Sequence, residues 1–223
     1  MTMTESGTAL ESRMREAIAE RSLLQHPFYQ AWSEGTLEVE RLQDYARQYY
    51  HFERAFPRFL SAIHARTESP AIRQLLLNNL WDEEHGERNH PALWLEFAAA
   101  LGVSREEVES AEPHPETTAL IEHFGDVAQN APVAEALATL FAYESQVPAI
   151  AWEKIKGLTE HYDLLPEQFE FFSVHLVSDV AHSGGEMSAI EELCEDGDAV
   201  VAAAERASER LLGFLDGCYG AAA

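Results

Sequence analysis

Three side chains that bind metals well are spaced along one short apolar segment, FFSVHLVSDVAH. His175, Asp179 and His182 follow one another at intervals of four and three residues, so on a helix they lie within about 60° of one another along two turns of one face. A charged Asp is rarely placed beside two imidazoles on an apolar helix unless it has a partner. The spacing therefore favours a metal site, although a surface stripe with Asp179 paired to a histidine has the same pattern.

A second group of candidate ligands lies in LWDEEHGERNHPALW, where Pro91 breaks the predicted helix. Glu87 and His90 have the Glu-x-x-His spacing of ferritin-like dimetal bundles. Glu83 and His90 are seven residues apart and also share a face, but two turns separate them unless the helix distorts near Gly86. Spacing alone does not choose between the two pairs, and some of these carboxylates belong to a solvated acidic face.

A single glutamate, Glu144, lies within the otherwise apolar segment LFAYESQVPAIA. Apolar residues share its helix face, so the side chain is expected to be buried. A buried carboxylate needs a cation, and arginines that would pair with Glu144 are scarce nearby. The position therefore favours a third metal-binding segment over a salt bridge.

Together the three segments offer two or three carboxylates and three histidines from three helices. Nitrogen and oxygen donors without thiolates suit iron or manganese, and suit a structural zinc ion less well. Such a set is larger than one open catalytic ion needs, and bridging carboxylates hold two ions close together. We therefore expect a dinuclear centre, Fe/Fe or Mn/Fe, that activates dioxygen with electrons from an external reductant.

The elements that position these residues are predicted to be helical nearly throughout, because apolar residues recur at intervals of three and four. Pro57 and Pro148 lie inside two of the predicted helices and are expected to bend them. Gly157 and the pair Gly184 and Gly185 are among the expected helix ends. The predicted helices lie near residues 8–24, 27–34, 38–65, 70–88, 91–101, 116–129, 133–157, 167–183 and 186–216.

The composition is that of one globular domain, with 46% hydrophobic and 24% charged residues. The segment SREEVESAEPHPE is the best candidate for a connecting loop after a short helical turn, and no composition shift or internal repeat divides the chain. We predict an all-α helical bundle, a single domain over 1–223, with a flexible arm at 1–7 and a flexible tail at 217–223.

The formal net charge of −24 argues against nucleic acid and anionic membranes as partners, because their phosphates would repel the chain. We expect neither a signal peptide nor a membrane span, because the segment MTMTESGTAL lacks a basic region with an apolar run and no apolar stretch approaches about 20 residues. Cys194 and Cys218 have no paired spacing, so a disulfide framework is not expected and a reducing cytoplasm is the predicted location.

Five long segments in a fixed order also carry a resemblance to a known family: HPFYQAW, LQDYARQYYHFERAFPRFLSAIHAR, LLLNNLWDEEHGERNHPALWLEFAAALGV, YESQVPAIAWEKIKGLTE and HLVSDVAH. The chain resembles the haem-oxygenase-like dimetal oxidases, within the broader TenA- and PqqC-like superfamily. Within them it is similar to the group of the Chlamydia protein associating with death domains. The family pattern is Glu-x6-His, a lone Glu, then His-x3-Asp-x2-His. This implies a haem-oxygenase-like bundle with the metal ligands Glu83, His90, Glu144, His175, Asp179 and His182.

The activity that the resemblance implies is synthesis of para-aminobenzoate for folate, in which the protein sacrifices its own side chains. The tyrosine that matches the ring donor is Tyr29, and Lys154 matches the amino donor. Tyr143 matches a family tyrosine near the metals. A phenol close to an oxidising metal centre is easily oxidised, whereas the neighbouring Phe28 is not.

Lys154 and Lys156 are the only lysines of the chain, and the other 13 of its 15 Lys and Arg residues are arginines. Amine transfer needs a neutral nitrogen nucleophile, which arginine does not supply. On the predicted helix Lys154 lies beside the apolar face centred on Glu144, so we expect it to reach the interior. Lys156 is expected to be an exposed cation near the helix end at Gly157.

Two other classes of function remain open from the sequence. The dimetal site would serve equally well to convert an external small-molecule substrate, whereas thiaminase-like chemistry needs a cysteine in the pocket and both cysteines follow the ligand helix. A non-enzymatic protein that binds death domains would use the acidic surface but would have no need of six buried ligands. A homodimer is compatible with each of these functions.

Overall fold

The structure, a computed structural model, describes residues 7–220, and the predicted all-α class is confirmed. None of its helices is at once long enough and apolar enough to cross a membrane. Two short 3-10 turns, Leu23–Gln25 and Pro166–Gln168, precede α2 and α11. The α-helices are α1 (Gly7–Ala19), α2 (Pro27–Ser33), α3 (Val39–Glu53), α4 (Phe56–Arg66), α5 (Pro70–Glu84), α6 (His90–Ala100), α7 (Arg105–Ser110), α8 (Pro115–Asn130), α9 (Val133–Glu144), α10 (Val147–His161), α11 (Glu170–Leu193) and α12 (Gly197–Gly220).

Pro57 and Pro148 separate helices rather than bend them. Each lies in the first turn of a new helix, α4 or α10, where the missing N–H of proline is tolerated. The two long helices predicted around these prolines are therefore each two helices. As a result, Glu53 and Glu144 are the last residues of α3 and α9.

The ligand helix α11 continues through Gly184 and Gly185, so the predicted break there is wrong. A Cβ atom on Gly185 would lie 2.5 Å from Cδ1 of Leu75 on α5. The glycine therefore permits close packing of α5 against α11 rather than ending the helix. This contact brings together the helices that carry Glu83 and His182.

Helix α10 likewise continues past Gly157 to His161, so Gly157 is not a helix end. A Cβ atom on Gly157 would lie 2.6 Å from Cδ1 of Trp32 on α2. The indole Nε1 of Trp32 donates a hydrogen bond to the Lys154 carbonyl oxygen at 3.2 Å. The glycine thus lets α2 approach the turn of α10 that carries Lys154.

Helix α5 ends at Glu84, four residues earlier than predicted, because the backbone at His85 is extended and Gly86 has a φ of +84°. Asn89 caps α6 by accepting a hydrogen bond from the backbone N–H of Ala92. His90 is therefore the first residue of a new helix. The turn between α5 and α6 removes Glu87 from any helix, so the Glu-x-x-His pair does not share a helix face.

The core is built around α9, which packs against both α11 and α12, while α3 packs against α6. Aromatic residues supply much of the buried volume, because they recur at intervals of three and four along α3 and the neighbouring helices. Fully buried examples are Phe28, Trp32, Tyr45, Phe52, Trp94, Phe97, Phe124, Phe141 and Phe172. The site described below lies where α3, α5, α6, α9 and α11 meet.

The last helix, α12, includes residues 217–220, so the tail predicted to begin at 217 is wrong for those positions. The side chain of Cys218 packs into the core there. Of the arm predicted at 1–7, residues 1–6 lie outside the described residues and Gly7 begins α1, and the tail residues 221–223 also lie outside the described residues. Cys194 and Cys218 form no disulfide within residues 7–220, and burial raises the pKa of the Cys218 thiol well above its usual value, which makes it a poor nucleophile.

Candidate metal centre

One group of buried ligands is formed by Glu144 on α9 with Asp179 and His182 on α11, and we call it the Glu144 group. One donor atom from each residue lies within 4.8 Å of the others. The His182 Nδ1 atom is 3.5 Å from Glu144 Oε1 and 3.8 Å from Asp179 Oδ1. Consecutive turns of α11 supply two of the three side chains, as the four-and-three spacing predicts.

Polar neighbours hold the two carboxylates of the Glu144 group. The Asn79 side-chain amide donates to both oxygens of Glu144, at 3.0 and 3.3 Å. The Ser178 hydroxyl donates to Oδ1 of Asp179 at 3.0 Å. The other oxygen of Asp179 is buried and has no hydrogen-bond partner in residues 7–220. One oxygen is thus anchored, and the other is available to a cation.

The His182 ring is oriented by a carboxylate on its outer side. Its Nε2 atom lies 3.1 Å from Oδ2 of Asp82, which is half-exposed, and we assign the ring proton to Nε2. The Nδ1 atom on the other side of the ring faces Glu144 and Asp179, and it has no hydrogen-bond partner in the described part of the chain. A carboxylate that accepts the outer N–H of a histidine is the usual support of a metal-binding imidazole.

A second group of buried ligands, which we call the Glu53 group, consists of Glu53, His90 and His175. Their donor atoms also lie within 4.8 Å of one another. The ring centroids of the two histidines are 4.4 Å apart. The Nδ1 atom of His175 lies 2.6 Å from the Phe171 carbonyl oxygen and donates to it, so Nε2 is left as the metal-binding atom.

Glu83 lies between the two groups. Its Oε2 atom is 2.8 Å from Nδ1 of His90, which belongs to the Glu53 group. Burial and then the charge of Glu144, from the other group, raise the pKa of Glu83 well above its usual value. Its carboxylate therefore contacts a residue of the Glu53 group and is influenced by the charges of the Glu144 group.

The electrostatics of the centre indicate an unmet need for positive charge. Burial is the largest cause of the raised pKa values of Glu53, Asp179 and Glu186, and neighbouring carboxylates add to it. Burial, followed by the nearby His90, lowers the pKa of His175 well below its usual value. Burial alone would lower the pKa of His182, but Glu144 and Asp82 outweigh it and raise the pKa to about 9.

A metal ion fits this donor set. Without a cation, burial favours the protonated forms of Glu53, Asp179 and Glu186, whereas bound cations would favour their ionised forms. The buried atoms without hydrogen-bond partners in residues 7–220 include Glu53 Oε1, Asp179 Oδ2 and His182 Nδ1. All three belong to the two ligand groups, and nitrogen and carboxylate donors suit iron and manganese.

The structure brings all six ligand residues that the resemblance implies into this buried cluster. Glu87, the alternative to Glu83, is exposed in the turn between α5 and α6.

Sequence reasoning missed three acidic residues of the centre, namely Glu53, Asp82 and Glu186. The argument made for Glu144 applies equally to Glu53, since it lies four residues after Tyr49 on the aromatic face of α3. Glu186 lies four residues after His182, but the predicted break at the preceding glycines hid that it continues the ligand stripe of α11. No sequence pattern distinguishes Asp82 from Glu83 and Glu84, which follow it directly.

Next to the metal centre lies a buried amine surrounded by aromatic rings. Lys154 on α10 is 5% exposed, and its Nζ donates a hydrogen bond to the Tyr45 hydroxyl at 2.7 Å. We call this region the Lys154 chamber. The rings whose centroids lie 4.9–5.6 Å from Nζ are those of Tyr29, Trp32, Tyr45, Tyr49 and Phe172.

Burial lowers the pKa of Lys154 to about 7, against the opposing charge of Glu53. No carboxylate in residues 7–220 forms an ion pair with its amine. Aromatic faces favour the ammonium form by about 2 kcal/mol or more when desolvated. The lowered pKa corresponds to roughly 5 kcal/mol in the other direction, so desolvation prevails and a neutral amine is available near neutral pH.

The two predicted tyrosines both line this region. The Tyr29 hydroxyl lies 3.2 Å from the Tyr45 hydroxyl, and Tyr143 forms a hydrogen bond with Tyr49 through their hydroxyl groups. A cavity of about 30 Å³ is lined by Tyr29, Tyr49, Tyr143, Lys154 and mostly apolar neighbours. That volume suffices for a molecule the size of water or dioxygen.

The second lysine, Lys156, is exposed as expected. It is not near the helix end, however, because α10 continues for five more residues. Only one of the two lysines therefore has access to the interior.

Comparisons with known proteins point in the same direction as the geometry. The model of a haem-oxygenase-like family described as "Iron-containing redox enzyme" matches residues 43–211. The chain is 46% identical over 215 residues to a 4-aminobenzoate synthase of Nitrosomonas europaea, covering 91% of this chain and 87% of that protein. It is 44% identical over 201 residues to a 4-aminobenzoate synthase of Chlamydia trachomatis, covering 89% and 87%.

A solved structure shows the same fold at low sequence identity. A TenA homologue from Pseudomonas syringae superposes with a TM-score of 0.82 at 18% identity, covering 96% of this chain and 92% of that one.

Proposed function

Because the chain belongs to the family of iron-containing redox enzymes, we propose that it is a dimetal, dioxygen-dependent oxygenase that makes 4-aminobenzoate from its own side chains. In this proposal Tyr29 supplies the aromatic ring and Lys154 supplies the amino nitrogen. The names of the curated relatives from Nitrosomonas and Chlamydia support the product. The buried ligand cluster supports the use of metal ions.

The observation that carries the proposal is the short distance between the Lys154 and Tyr29 side chains. The Lys154 amine lies 5.2 Å from the centroid of the Tyr29 ring. Tyr45 links them, because its hydroxyl accepts from the amine and contacts the hydroxyl of Tyr29. An amine and a phenol held this close gain the advantage of an intramolecular reaction.

The size of the shared cavity favours these internal donors over an external aromatic substrate. Ligand pockets for small molecules usually enclose about 300–1,000 Å³, whereas the cavity beside Tyr29 and Lys154 has about 30 Å³. Dioxygen fits such a space and an aromatic ring does not. Aromatic residues fill the volume that a substrate would need.

The residues that would hold the two ions are Glu83, His90, Glu144, His175, Asp179 and His182. Together with dioxygen and an external reductant, bound iron, or iron with manganese, would supply the oxidant for the reaction. The chain itself orients the donors and excludes water from them. Burial keeps the Lys154 amine neutral and therefore nucleophilic, which an arginine at this position would not achieve.

A reducing cytoplasm is the compartment we propose, because no disulfide joins the two cysteines in residues 7–220. Such a compartment also contains thiol and nicotinamide reductants, which would reduce the metal ions of a dimetal centre.

The test is a single-turnover experiment on protein whose tyrosine rings carry ¹³C. Metal-free protein is loaded anaerobically with Fe(II), alone or with Mn(II), and then receives dioxygen and reductant without substrate. We expect labelled 4-aminobenzoate at no more than about one molecule per chain, with loss of mass in the peptides that contain Tyr29 and Lys154. Unlabelled product, or many turnovers on an added small molecule, would contradict self-sacrifice.

A further inference from the structure

Glu53, the last residue of α3, is a buried acid that neither the ligand pattern of the family resemblance nor the proposed chemistry uses. It is 2% exposed and is followed along the chain by the aromatic residues of α4. Its Oε1 atom has no hydrogen-bond partner among residues 7–220. An uncompensated buried carboxyl group destabilises a fold, so its presence calls for a partner that binds it.

The geometry identifies that partner as a cation. A carboxylate oxygen of Glu53 lies within 4.8 Å of ligand nitrogens of His90 and His175. Ligand atoms about 2.0–2.2 Å from one ion are separated by roughly 3–4 Å, so small side-chain movements close the set. The hydrogen bond from His175 to the Phe171 carbonyl already directs the other ring nitrogen away from the backbone.

Glu83 has a different place in the centre. It contacts His90 of the Glu53 group, yet its strongest charge interactions are with Glu144 and His182 of the Glu144 group. A carboxylate with neighbours in both groups is suited to bridge two ions. If Glu83 is shared between two ions, the ion bound by His90 and His175 has no unshared carboxylate ligand unless Glu53 supplies one.

We propose that Glu53 is a seventh protein ligand of the metal centre and binds the same ion as His90 and His175. Glu83 then connects this ion to the one held by the Glu144 group. The inference rests on the proposed dimetal centre and adds a ligand from a helix that the six-residue pattern does not use.

The position of Glu53 also links the metal centre to the Lys154 chamber. Tyr45, Tyr49 and Glu53 are spaced four residues apart, so they lie along one face of α3. The hydroxyl of Tyr45 contacts Lys154, and that of Tyr49 contacts Tyr143. The helix that supplies the seventh ligand therefore also supplies two phenols of the chamber.

Metal titration of Glu53→Gln tests the assignment, because glutamine keeps the shape and removes the charge. Metal-free protein is titrated anaerobically with Mn(II), and bound metal is counted by elemental analysis and by electron paramagnetic resonance. We expect two ions per chain in the wild type, and in Glu53→Gln one ion of unchanged affinity and a second bound at least about tenfold more weakly. Glu53→Asp, which retains an acid on a shorter stem, is expected to be intermediate.

The matched control is Glu87→Gln, which removes an exposed acid close to the same histidine. It is expected to bind two ions as the wild type does. Two ions of wild-type affinity in Glu53→Gln would overturn the assignment while leaving the proposed function intact. A wild type that binds fewer than two ions would instead refute the dimetal centre itself.

Thermal unfolding of the metal-free proteins separates a ligand from a structural acid. A ligand without its metal is an unsatisfied buried group, so Glu53→Gln is expected to melt at the same temperature as the wild type or higher. A structural role predicts a lower melting temperature with unchanged metal binding, which would overturn the proposal.

Discussion

The metal centre and the Lys154 chamber are neighbouring buried regions that solve the same physical problem in opposite ways. Both place ionisable groups out of contact with water, where an isolated charge is unstable. In the metal centre several carboxyl groups and imidazoles converge, and the shortage of positive charge makes a site for cations. In the chamber a single amine lies among aromatic rings, and it tends to lose its proton.

The difference teaches that the surroundings of a buried ionisable group decide its chemical role. Asn79 and Ser178 anchor ligand oxygens in the metal centre, so its geometry is held before metal binds. The chamber offers Lys154 one hydroxyl acceptor, which is too little to retain a full charge. The predictions that follow alter one region and ask whether the other responds.

The largest effect is expected from Lys154→Arg, which keeps a long basic side chain but replaces the neutral, transferable amine of the chamber with a charged guanidinium. Product should fall by about 100-fold or more, because a guanidinium does not supply a neutral nucleophile. Metal content should remain at the wild-type level. Mass spectrometry of product and elemental analysis of protein measure the two quantities.

The control for that change is Lys156→Arg on the exposed side of α10, which should leave both quantities unchanged. Product formation by the Lys154→Arg variant would remove Lys154 as the nitrogen donor.

The second effect is a change in metal binding alone. Glu83→Ala should weaken metal binding by more than about 100-fold, because loss of even an outer supporting residue of a metal site costs about 10- to 100-fold. Glu87→Ala should retain both ions, since its carboxylate is exposed in the turn. The opposite ranking would restore the Glu-x-x-His pair as ligands and count against the family pattern.

A smaller effect is expected from Asp82→Asn, because Asp82 supports His182 without facing the metal position. Asparagine can accept the same hydrogen bond but carries no charge, so metal affinity should fall by about 10-fold. Near-ultraviolet circular dichroism should show the chamber aromatics unchanged. An Asp82→Asn variant with wild-type affinity would mean that packing alone orients the His182 ring.

The remaining effect, on stability rather than on product or metal content, is a pH dependence that belongs to the chamber. The pKa of Lys154 is lowered to about 7 from a usual 10.5, so between these values the unfolded chain holds a proton that the folded chain lacks. The free energy of unfolding should therefore rise with pH in this window, by up to about 1.4 kcal/mol per pH unit. Below pH 7 the amine is protonated in both states, so this dependence on pH should disappear.

Urea unfolding of metal-free wild type and Lys154→Met measures this difference, since other titrations cancel between the two proteins. Parallel stability curves from pH 7.5 to 9.5 would show that the amine stays protonated in the fold.

The fold class and the family resemblance were both within reach of the sequence, and both are confirmed. The helical periodicity of apolar residues identifies the fold class, because every helix must present an apolar face to the interior. The ends of helices were harder, since a glycine has two meanings. The sequence predicts helix ends at Gly157 and Gly185, whereas each glycine lets another helix approach.

The ligand residues show where sequence reasoning reaches its limit. Spacing along α11 indicated His175, Asp179 and His182, because one helix fixes their relative positions. Spacing left the choice between Glu83 and Glu87 open, because the turn after Glu84, with a positive φ at Gly86, interrupts the helix that the spacing argument assumes. The position of Glu53 on the aromatic face of α3 predicts its burial, but its place beside His90 depends on the packing of α3 against α6, which no local pattern encodes.

The burial of Tyr29 has a consequence for the fate of the protein. If its ring departs as product, the aromatic cluster with Phe28 and Trp32 loses a member and an empty space remains. Removal of a large aromatic side chain from a core costs about 3–5 kcal/mol, a large part of the roughly 5–15 kcal/mol by which a domain is stable. A chain that has reacted once would therefore unfold at a lower temperature than a fresh one, and cellular proteases would degrade it first. The protein would then be consumed like a reagent, with its supply set by the rate of its own synthesis.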